Sequence, residues 1–328
     1  MLKVTTVSHY PKIGDTFEEQ ILRRSLGQLD RKEIDASQLE RIKDEVTRTA
    51  IEEQIEAGVE VVTDGQIRWQ DPLTYILGQI KGISLKGLLR YFDTNTFYRQ
   101  PICEAKLEAP ESLVVKDFQF ANALSSKPLK ALLTGPYTLA KHIQDKHYGN
   151  LEALATALAE ILGEETKRLA QKGCEIVQFD EPAILNFKKD FPIFKKVWTK
   201  LAGSFPEGIE TILFLNYGNL QGLYPQILEI PVTTIGLDYA GQSENKRVLK
   251  KGFSKKLIAG IVDARNTKME TEEELQSKLE ELLQIVSAED LSVSPNYGLE
   301  FLPRENARKK LANLSKVVRE FREAKVKV

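Results

Sequence analysis

Glu175-Ile-Val-Gln-Phe-Asp-Glu-Pro-Ala-Ile184 decides how this chain folds. Ile176, Val177 and Phe179 suit a pleated strand, and the apolar run is too short for a helix. Asp180 and Glu181 arrive where that strand stops, and Pro182, lacking an amide hydrogen, bars further pairing. In a barrel of parallel strands, the loops at the C-terminal strand ends build the site. Two carboxylates placed there are functional candidates. A solvated loop with one helix N-cap accounts for them equally well.

Upstream of this stretch, 151–172 carries a helical period that Gly173 stops. Leu129-Lys-Ala-Leu-Leu-Thr134 is a strand, turned by Gly135-Pro136. Farther back, Val4-Thr-Thr-Val-Ser-His-Tyr10 and Val59-Glu-Val-Val-Thr-Asp64 read as strands. Between them lie a short charged helix over 16–28 and a long amphipathic one over 35–57, closed by Gly58. Downstream, strands are predicted at 211–215, 232–237, 257–262 and 291–294. Helical patterns at 270–287 and 304–324 separate the later ones. Strands alternating with helices in this number predict an α/β chain folded as a (β/α)8 TIM barrel. A doubly wound open sheet is the competitor, but no Gly-x-Gly-x-x-Gly turn follows any strand. The register slips after the second strand. There, 81–110 reads as an inserted hairpin or excursion within a single domain spanning 1–328, and a helix follows over 111–124.

The chain has 328 residues, 42% hydrophobic and 28% charged, enough for one large α/β domain. A net charge of -1 gives no field that favours nucleic acid or an anionic membrane. No apolar run is long enough to span a bilayer, and the first residues lack a signal-peptide layout. Two distant cysteines, Cys103 and Cys174, suit a reduced, cytoplasmic protein.

At the C-terminal strand ends a barrel gathers Ser8 and His9, Asp64 and Gln66, Thr134, Asp180 and Glu181. It adds Asn216, Asp238 and Tyr239, Asp263 and Arg265, and Ser294 and Asn296. Asp64, Asp180, Asp238 and Asp263 facing one mouth repel unless paired or bound to a cation. Arg265, next but one to Asp263, is the expected local partner. The mouth is either a ligand site or a polar structural plug.

A catalytic zinc needs three ligands from His, Cys or carboxylate. Only His9, among the histidines and cysteines, stands at a predicted strand end. Cys174 precedes its strand and reads as a packed thiol, and Cys103 reads as a small apolar residue of the excursion. His142 and His147 flank a polar loop and read as solvated. No metal site and no nucleophilic triad is expected.

Five blocks resemble the cobalamin-independent methionine synthase family. They are Tyr10-Pro-Lys-Ile-Gly14, Leu132-Leu-Thr-Gly-Pro136, Gln178-Phe-Asp-Glu-Pro182, Gly260-Ile-Val-Asp-Ala-Arg-Asn266 and Ser294-Pro-Asn-Tyr-Gly-Leu299. They run through the chain in family order. The resemblance implies a (β/α)8 enzyme that moves a methyl group from 5-methyltetrahydrofolate to homocysteine. In the full-length family a C-terminal barrel carries zinc and homocysteine, and a metal-free N-terminal barrel helps hold the folate.

The family's His-x-Cys after the fifth strand is Asn216-Tyr-Gly218 here. Its next ligand, a glutamate, is Asp238, and its last, a cysteine, is Tyr297. Arg265 stands where the family has a histidine. Val7-Ser-His9 replaces an Ile-Gly-Ser that holds the homocysteine carboxylate, and Gln66 replaces a glutamate. Asp180 alone persists among the amino-acid-binding residues. Trp69-Gln-Asp71, Tyr91-Phe-Asp-Thr-Asn-Thr96 and Val262-Asp-Ala-Arg-Asn266 are similar to blocks of the N-terminal barrel. The resemblance places Arg23, Arg24 and Arg90 toward the glutamate tail of a folate, where guanidinium forks suit carboxylates.

The expected protein is therefore a free-standing, zinc-less barrel of a split methionine synthase. Its partner is a separate catalytic barrel that carries the zinc. It contributes to folate binding and carries no cofactor of its own. The barrel-mouth candidates are His9, Gln66, Asp180, Glu181, Asn216, Asp238, Asp263, Arg265 and Asn296. Two alternatives stay open. One is a stand-alone enzyme with a repurposed carboxylate and arginine mouth. The other is a structural or regulatory partner with an empty one.

Overall fold

The computed structural model describes residues 2–326. Its strands are β1 (Lys3–Val4), β2 (Lys81–Arg90), β3 (Phe97–Glu108), β4 (Ala131–Thr134), β5 (Gln144–Asp145), β6 (Ile176–Asp180), β7 (Glu210–Leu215), β8 (Thr234–Asp238), β9 (Lys256–Val262) and β10 (Leu291–Pro295). The helices are α1 (Ile21–Asp30), α2 (Ala36–Glu56), α3 (Thr74–Leu77), α4 (Val115–Leu124), α5 (Pro136–His142), α6 (Leu151–Gln171), α7 (Ala183–Asn186), α8 (Phe191–Ala202), α9 (Ser243–Leu249), α10 (Glu272–Leu283) and α11 (Arg304–Val326).

Seven strands form one parallel sheet in the order β1-β10-β9-β8-β7-β6-β4, a half-barrel with helices on its outer side. The period-2 alternation of side chains divides each strand between two faces. Val177, Phe179, Leu213, Leu215, Leu257 and Ala259 join the main core shared with the helices. Val7, Ile212, Phe214 and Ile258 form a separate inner cluster, with Ile176 packed against it. Burial on both faces is why these strands read as continuous apolar runs.

The two N-terminal strands are shorter than their sequence suggests. The ladder of β1 ends at Val4, Thr5 keeps an isolated bridge, and the chain leaves the extended conformation at Ser8, which takes φ 58. Segment 59–64 forms parallel bridges rather than a ladder, Thr5 to Val61 and Val62 to Leu129. The Glu60 amide donates to Val4 O at 3.0 Å, and the Lys130 amide donates to Val62 O at 3.1 Å. The segment thus touches the β1 side and the β4 side of the sheet.

The expected excursion is a hairpin of antiparallel β2 and β3, with β5 added in parallel to β3. Its tip is folded on itself: the Tyr91 amide donates to Thr96 O at 2.9 Å, and the Thr94 hydroxyl to Tyr91 O at 2.6 Å.

Helix limits follow local chemistry. Asp35 and Gln38 form a capping box on α2, and Thr271 and Glu274 form one on α10. The start of α4 is set from another helix. Buried Glu165 of α6 accepts the amides of Leu113, Val114 and Val115 at 2.9, 2.6 and 3.0 Å. The helix expected from 111 therefore begins only at Val115. Cys103 and Cys174 are buried and free, as their apolar settings suggested. Among the described residues no helix is long and apolar enough to cross a membrane.

Candidate functional site

Parallel strands end on one edge, and the polar residues that follow them meet there. Asp180, the last residue of β6, has its Oδ1 held by the Gln178 amide at 2.7 Å. Burial pushes its carboxyl up to about 6, against the pull of Gln178, Lys130 and the Ser8 hydroxyl. Glu181, one residue on, points elsewhere. It is fully buried behind the sheet edge. Its two oxygens accept from the Tyr137 and Thr138 amides at 3.0 and 2.7 Å, the Thr138 hydroxyl at 2.6 Å and the Trp198 indole at 3.2 Å. Burial pushes its carboxyl up to about 7, and these four donors oppose the rise. Glu181 therefore fixes the start of α5 and is not available as a mouth ligand. Gly135 is demanded by this arrangement, since a Cβ there stands 2.3 Å from the Glu181 carboxyl carbon.

The remaining strand-end residues form a second group. Asp238, at the end of β8, is fully buried. It accepts from the Gly241 amide at 2.7 Å, the Asn296 amide at 3.0 Å and the Tyr297 hydroxyl at 3.0 Å. Burial raises its carboxyl, and burial and Asp238 together keep the proton on Tyr297. Asn296 also receives the Ala264 amide at 2.9 Å. Asn216 is buried after β7, and its Oδ1 has no partner among the described residues.

Asp263 and Arg265 are not the ion pair their spacing suggests. Asp263 accepts the Arg265 backbone amide at 2.9 Å and the Asn266 side chain. The Arg265 guanidinium instead crosses to the hairpin tip and donates to Asp93 O at 3.1 Å and Asp93 Oδ1 at 3.2 Å. It lies over the Tyr297 ring, 5.5 Å from its centroid. The chain turn at Ala264 aims the side chain outward, so a distant loop captures it.

That tip covers the mouth with aromatic rings. Phe92 stacks on Tyr217 at 5.3 Å with an 8° interplanar angle, and Tyr217 contacts Tyr297 at 4.8 Å. Tyr91 is buried, and burial and the field of Asp180 hold its proton on. His142, expected in solvent, is caged by Tyr91, Phe92 and Tyr98 at 5.3–5.5 Å. It bonds Thr138 O through Nδ1 at 2.7 Å, and burial lowers its basicity. Only the hairpin, which pattern reading left unresolved, brings those rings to it. His147 is exposed, as expected.

On the other flank, His9 is buried and contacts Ser8 Oγ at 3.2 Å, and Ser8 donates to Gln66 Oε1 at 3.4 Å. Burial and Lys12 keep His9 neutral, with its Nε2 unpartnered. His9, Lys12, Asp71, Thr96 and Glu300 line a cleft of about 240 Å³. Burial lowers Lys12 to about 8 and raises Glu300 to about 7. Lys12 and Glu300 escaped the strand-end argument because they stand deeper in their loops. Both nevertheless lie in or beside the blocks Tyr10–Gly14 and Ser294–Leu299, which was the available signal.

The three arginines are spread over two elements. Arg23 is exposed on α1. Arg24 lies 3.4 Å above the Phe17 ring and donates to Phe17 O at 2.5 Å. Arg90, at the end of β2, donates to Thr94 O within the hairpin tip.

The zinc ligand positions can be tested on their own chemistry. Asn216 offers a neutral amide, Tyr297 a phenol that holds its proton, and Asp238 a carboxylate already accepting three hydrogen bonds. A catalytic zinc takes three His, Cys or carboxylate donors. This set does not fit it.

A family model described as "Cobalamin-independent synthase, Catalytic domain" matches residues 2–320. The chain is 31% identical over 331 residues to the "Methionine synthase" of Saccharolobus solfataricus, covering 98% of this chain and 96% of that one. It is 29% identical to the "Methionine synthase" of Sulfurisphaera tokodaii, covering 98% and 93%. Among solved structures, a B12-independent methionine synthase from Shewanella sp. W3-18-1, in complex with selenomethionine, superposes with a TM-score of 0.86. The two are 23% identical, and each chain is covered over 100% of its length, so the likeness is one of fold.

Proposed function

This chain belongs to the cobalamin-independent methionine synthase family, and from that premise we propose that it is the zinc-less member of a two-chain methyltransferase. It pairs with a separate catalytic barrel that carries the zinc. It contributes to holding a 5-methyltetrahydrofolate-type donor, and the pair transfers the methyl group to homocysteine. The observation that carries this reading is the closed group Asp238, Asn296 and Tyr297. Side chains that bond one another occupy the positions where the family resemblance calls for thiolate and carboxylate ligands. Without a metal at those positions, a homocysteine thiol is not activated there by that route.

In the same reading, the sheet and segment 59–64 form a complete (β/α)8 barrel. Residues 1–328 are then a single domain with the β2–β3 hairpin as its insertion. The bridges of Val61 and Val62 to Thr5 and Leu129 support closure. Two free cysteines support a cytoplasmic setting. The selenomethionine named for the Shewanella protein supports an amino-acid product for the pair.

A second reading, a stand-alone enzyme, is favoured by one feature. Asp180 is only partly buried at its strand end, and the cleft lined by His9, Lys12 and Glu300 is open. One experiment separates the two. The purified chain is analysed for zinc and for methyl transfer, alone and with a catalytic-type barrel from the same source. No turnover alone, with activity or folate affinity gained on mixing, is the expected result. Stoichiometric zinc or turnover by the isolated chain overturns it.

A further inference from the structure

Beneath the mouth, the inner face of the sheet holds two buried polar atoms without partners among the described residues: Lys130 Nζ and Gln178 Oε1. Lys130 immediately precedes β4, and Gln178 lies in the neighbouring parallel strand β6. The register pairs Leu132 with Gln178 and Ala131 with Val177. Alternation then puts Lys130, Gln178 and Asp180 on one face, opposite Ala131, Val177 and Phe179, which pack outward. Lys130 is 1% exposed and Gln178 0%. A lysine nitrogen and an amide oxygen left unsatisfied on one buried face are costly, and the two are complementary. The other carboxylate whose field reaches Lys130, Glu210, is already engaged by the Thr234 hydroxyl at 2.9 Å and by Lys256 at 4.0 Å.

We propose that Lys130 and Gln178 are positioning residues for Asp180. Gln178 fixes the carboxylate through its amide, and Lys130, joined to the Gln178 oxygen through water, supplies the charge beneath it. Asp180 is thereby held as an anion aimed at the mouth, suited to a ligand that presents an ammonium or another charged donor. The inference rests on the proposed function only in taking Asp180 as the ligand-facing carboxylate. The chain works as a relay: lysine, amide, carboxylate, ligand. Other groups act on Asp180 from each side. Tyr91 of the hairpin tip, Tyr217 after β7 and Glu300 after β10 share its field. The Ser8 hydroxyl favours its charged form. Among the described residues, Lys130 is the cation whose charge acts on Asp180.

Burial pushes Asp180 up to about 6 and Lys130 down to about 7, and the charge of each opposes the shift of the other.

The test is carboxyl-carbon NMR of the full chain without a partner, with Asp180→Asn used for assignment. In Lys130→Met the Asp180 midpoint is expected to rise by about one pH unit. An unchanged midpoint in a folded variant overturns the proposal. If Lys130→Met does not fold, nitrogen NMR of the native chain decides. The Lys130 midpoint is expected to be higher there than in Asp180→Asn, and equal midpoints in the two overturn the proposal. Because neither measurement involves methyl transfer, a moved midpoint in a chain that never assists a catalytic barrel leaves the relay standing and removes the functional reading.

Discussion

Tyr297 donates its phenolic hydrogen to Asp238 Oδ2 at 3.0 Å, and Asn296, its neighbour, donates to Oδ1 of the same carboxylate at 3.0 Å. Two residues of one loop thus close the acceptor that a metal site needs open. Replacing Asp238 by Ala strands both donors and the Gly241 amide. Unsatisfied buried donors cost about 1–3 kcal/mol each before relaxation, so a loss of about 2–4 kcal/mol is expected. Urea unfolding measures it as a lower midpoint at unchanged slope. A midpoint equal to the native one contradicts this account of the group.

Gly135 makes a comparable demand. Gly135→Ala places a methyl group 2.3 Å from the Glu181 carboxyl carbon, and four hydrogen bonds hold that carboxylate in place. A destabilisation of about 1–3 kcal/mol is expected from such overpacking. Fluorescence of Trp198, which donates to Glu181 at 3.2 Å, reports the local shift. Native stability together with an unchanged spectrum counts against it.

Stability should depend on pH through the mouth. Burial raises Glu300 to about 7 from an ordinary carboxylate value near 4.5. The folded state then binds more protons than the unfolded state between those values. Its contribution is present below about 4.5 and is lost as pH rises through about 7. Glu300→Gln is expected to flatten the decline of stability between about pH 4.5 and 7. Parallel curves for native and variant chains would mean that the carboxyl titrates normally.

The strap from Arg265 to Asp93 is an exposed ion pair, at 3.2 Å, and is expected to contribute less than about 1 kcal/mol to global stability. Its local effect is larger, because it ties the hairpin tip to the loop after β9. Arg265→Ala should speed amide hydrogen exchange at 91–96 while leaving β6 to β8 unchanged. Equal exchange at the tip in both proteins excludes the strap.

If the arginines meet a folate's glutamate tail, Arg23→Ala should lower the preference for polyglutamyl over monoglutamyl folate by about tenfold, the worth of one charged contact. Arg24→Ala and Arg90→Ala should do less, since Arg24 already holds Phe17 and Arg90 already holds Thr94 O. The comparison is an affinity titration with both folates. No difference between the two ligands in the native chain ends the tail assignment.

Much of the architecture was legible because it rests on local pattern. The runs at 129–134, 175–179, 211–215, 257–262 and 291–294 all lie in the parallel sheet within a residue or two. Buried strands are apolar on both faces, and glycine or proline punctuates them. The N-terminal pair was misjudged in extent, since positive φ at Ser8 is a tertiary choice that a β-branched run does not announce.

What the sequence determined by itself was the alternation of strands and helices, the family blocks, and the chemical identity of the strand-end residues, including the missing thiols. These depend on residue type and order along the chain. Only the tertiary structure decided which of those residues look into the mouth. It turned Glu181 away toward α5, sent Arg265 to Asp93, caged His142 in aromatic rings and set Lys130 beneath Gln178 and Asp180. The reason is that a side chain's partner is chosen by contacts between segments far apart in sequence. A strand's period states which face a residue takes, but not which loop will come to meet it.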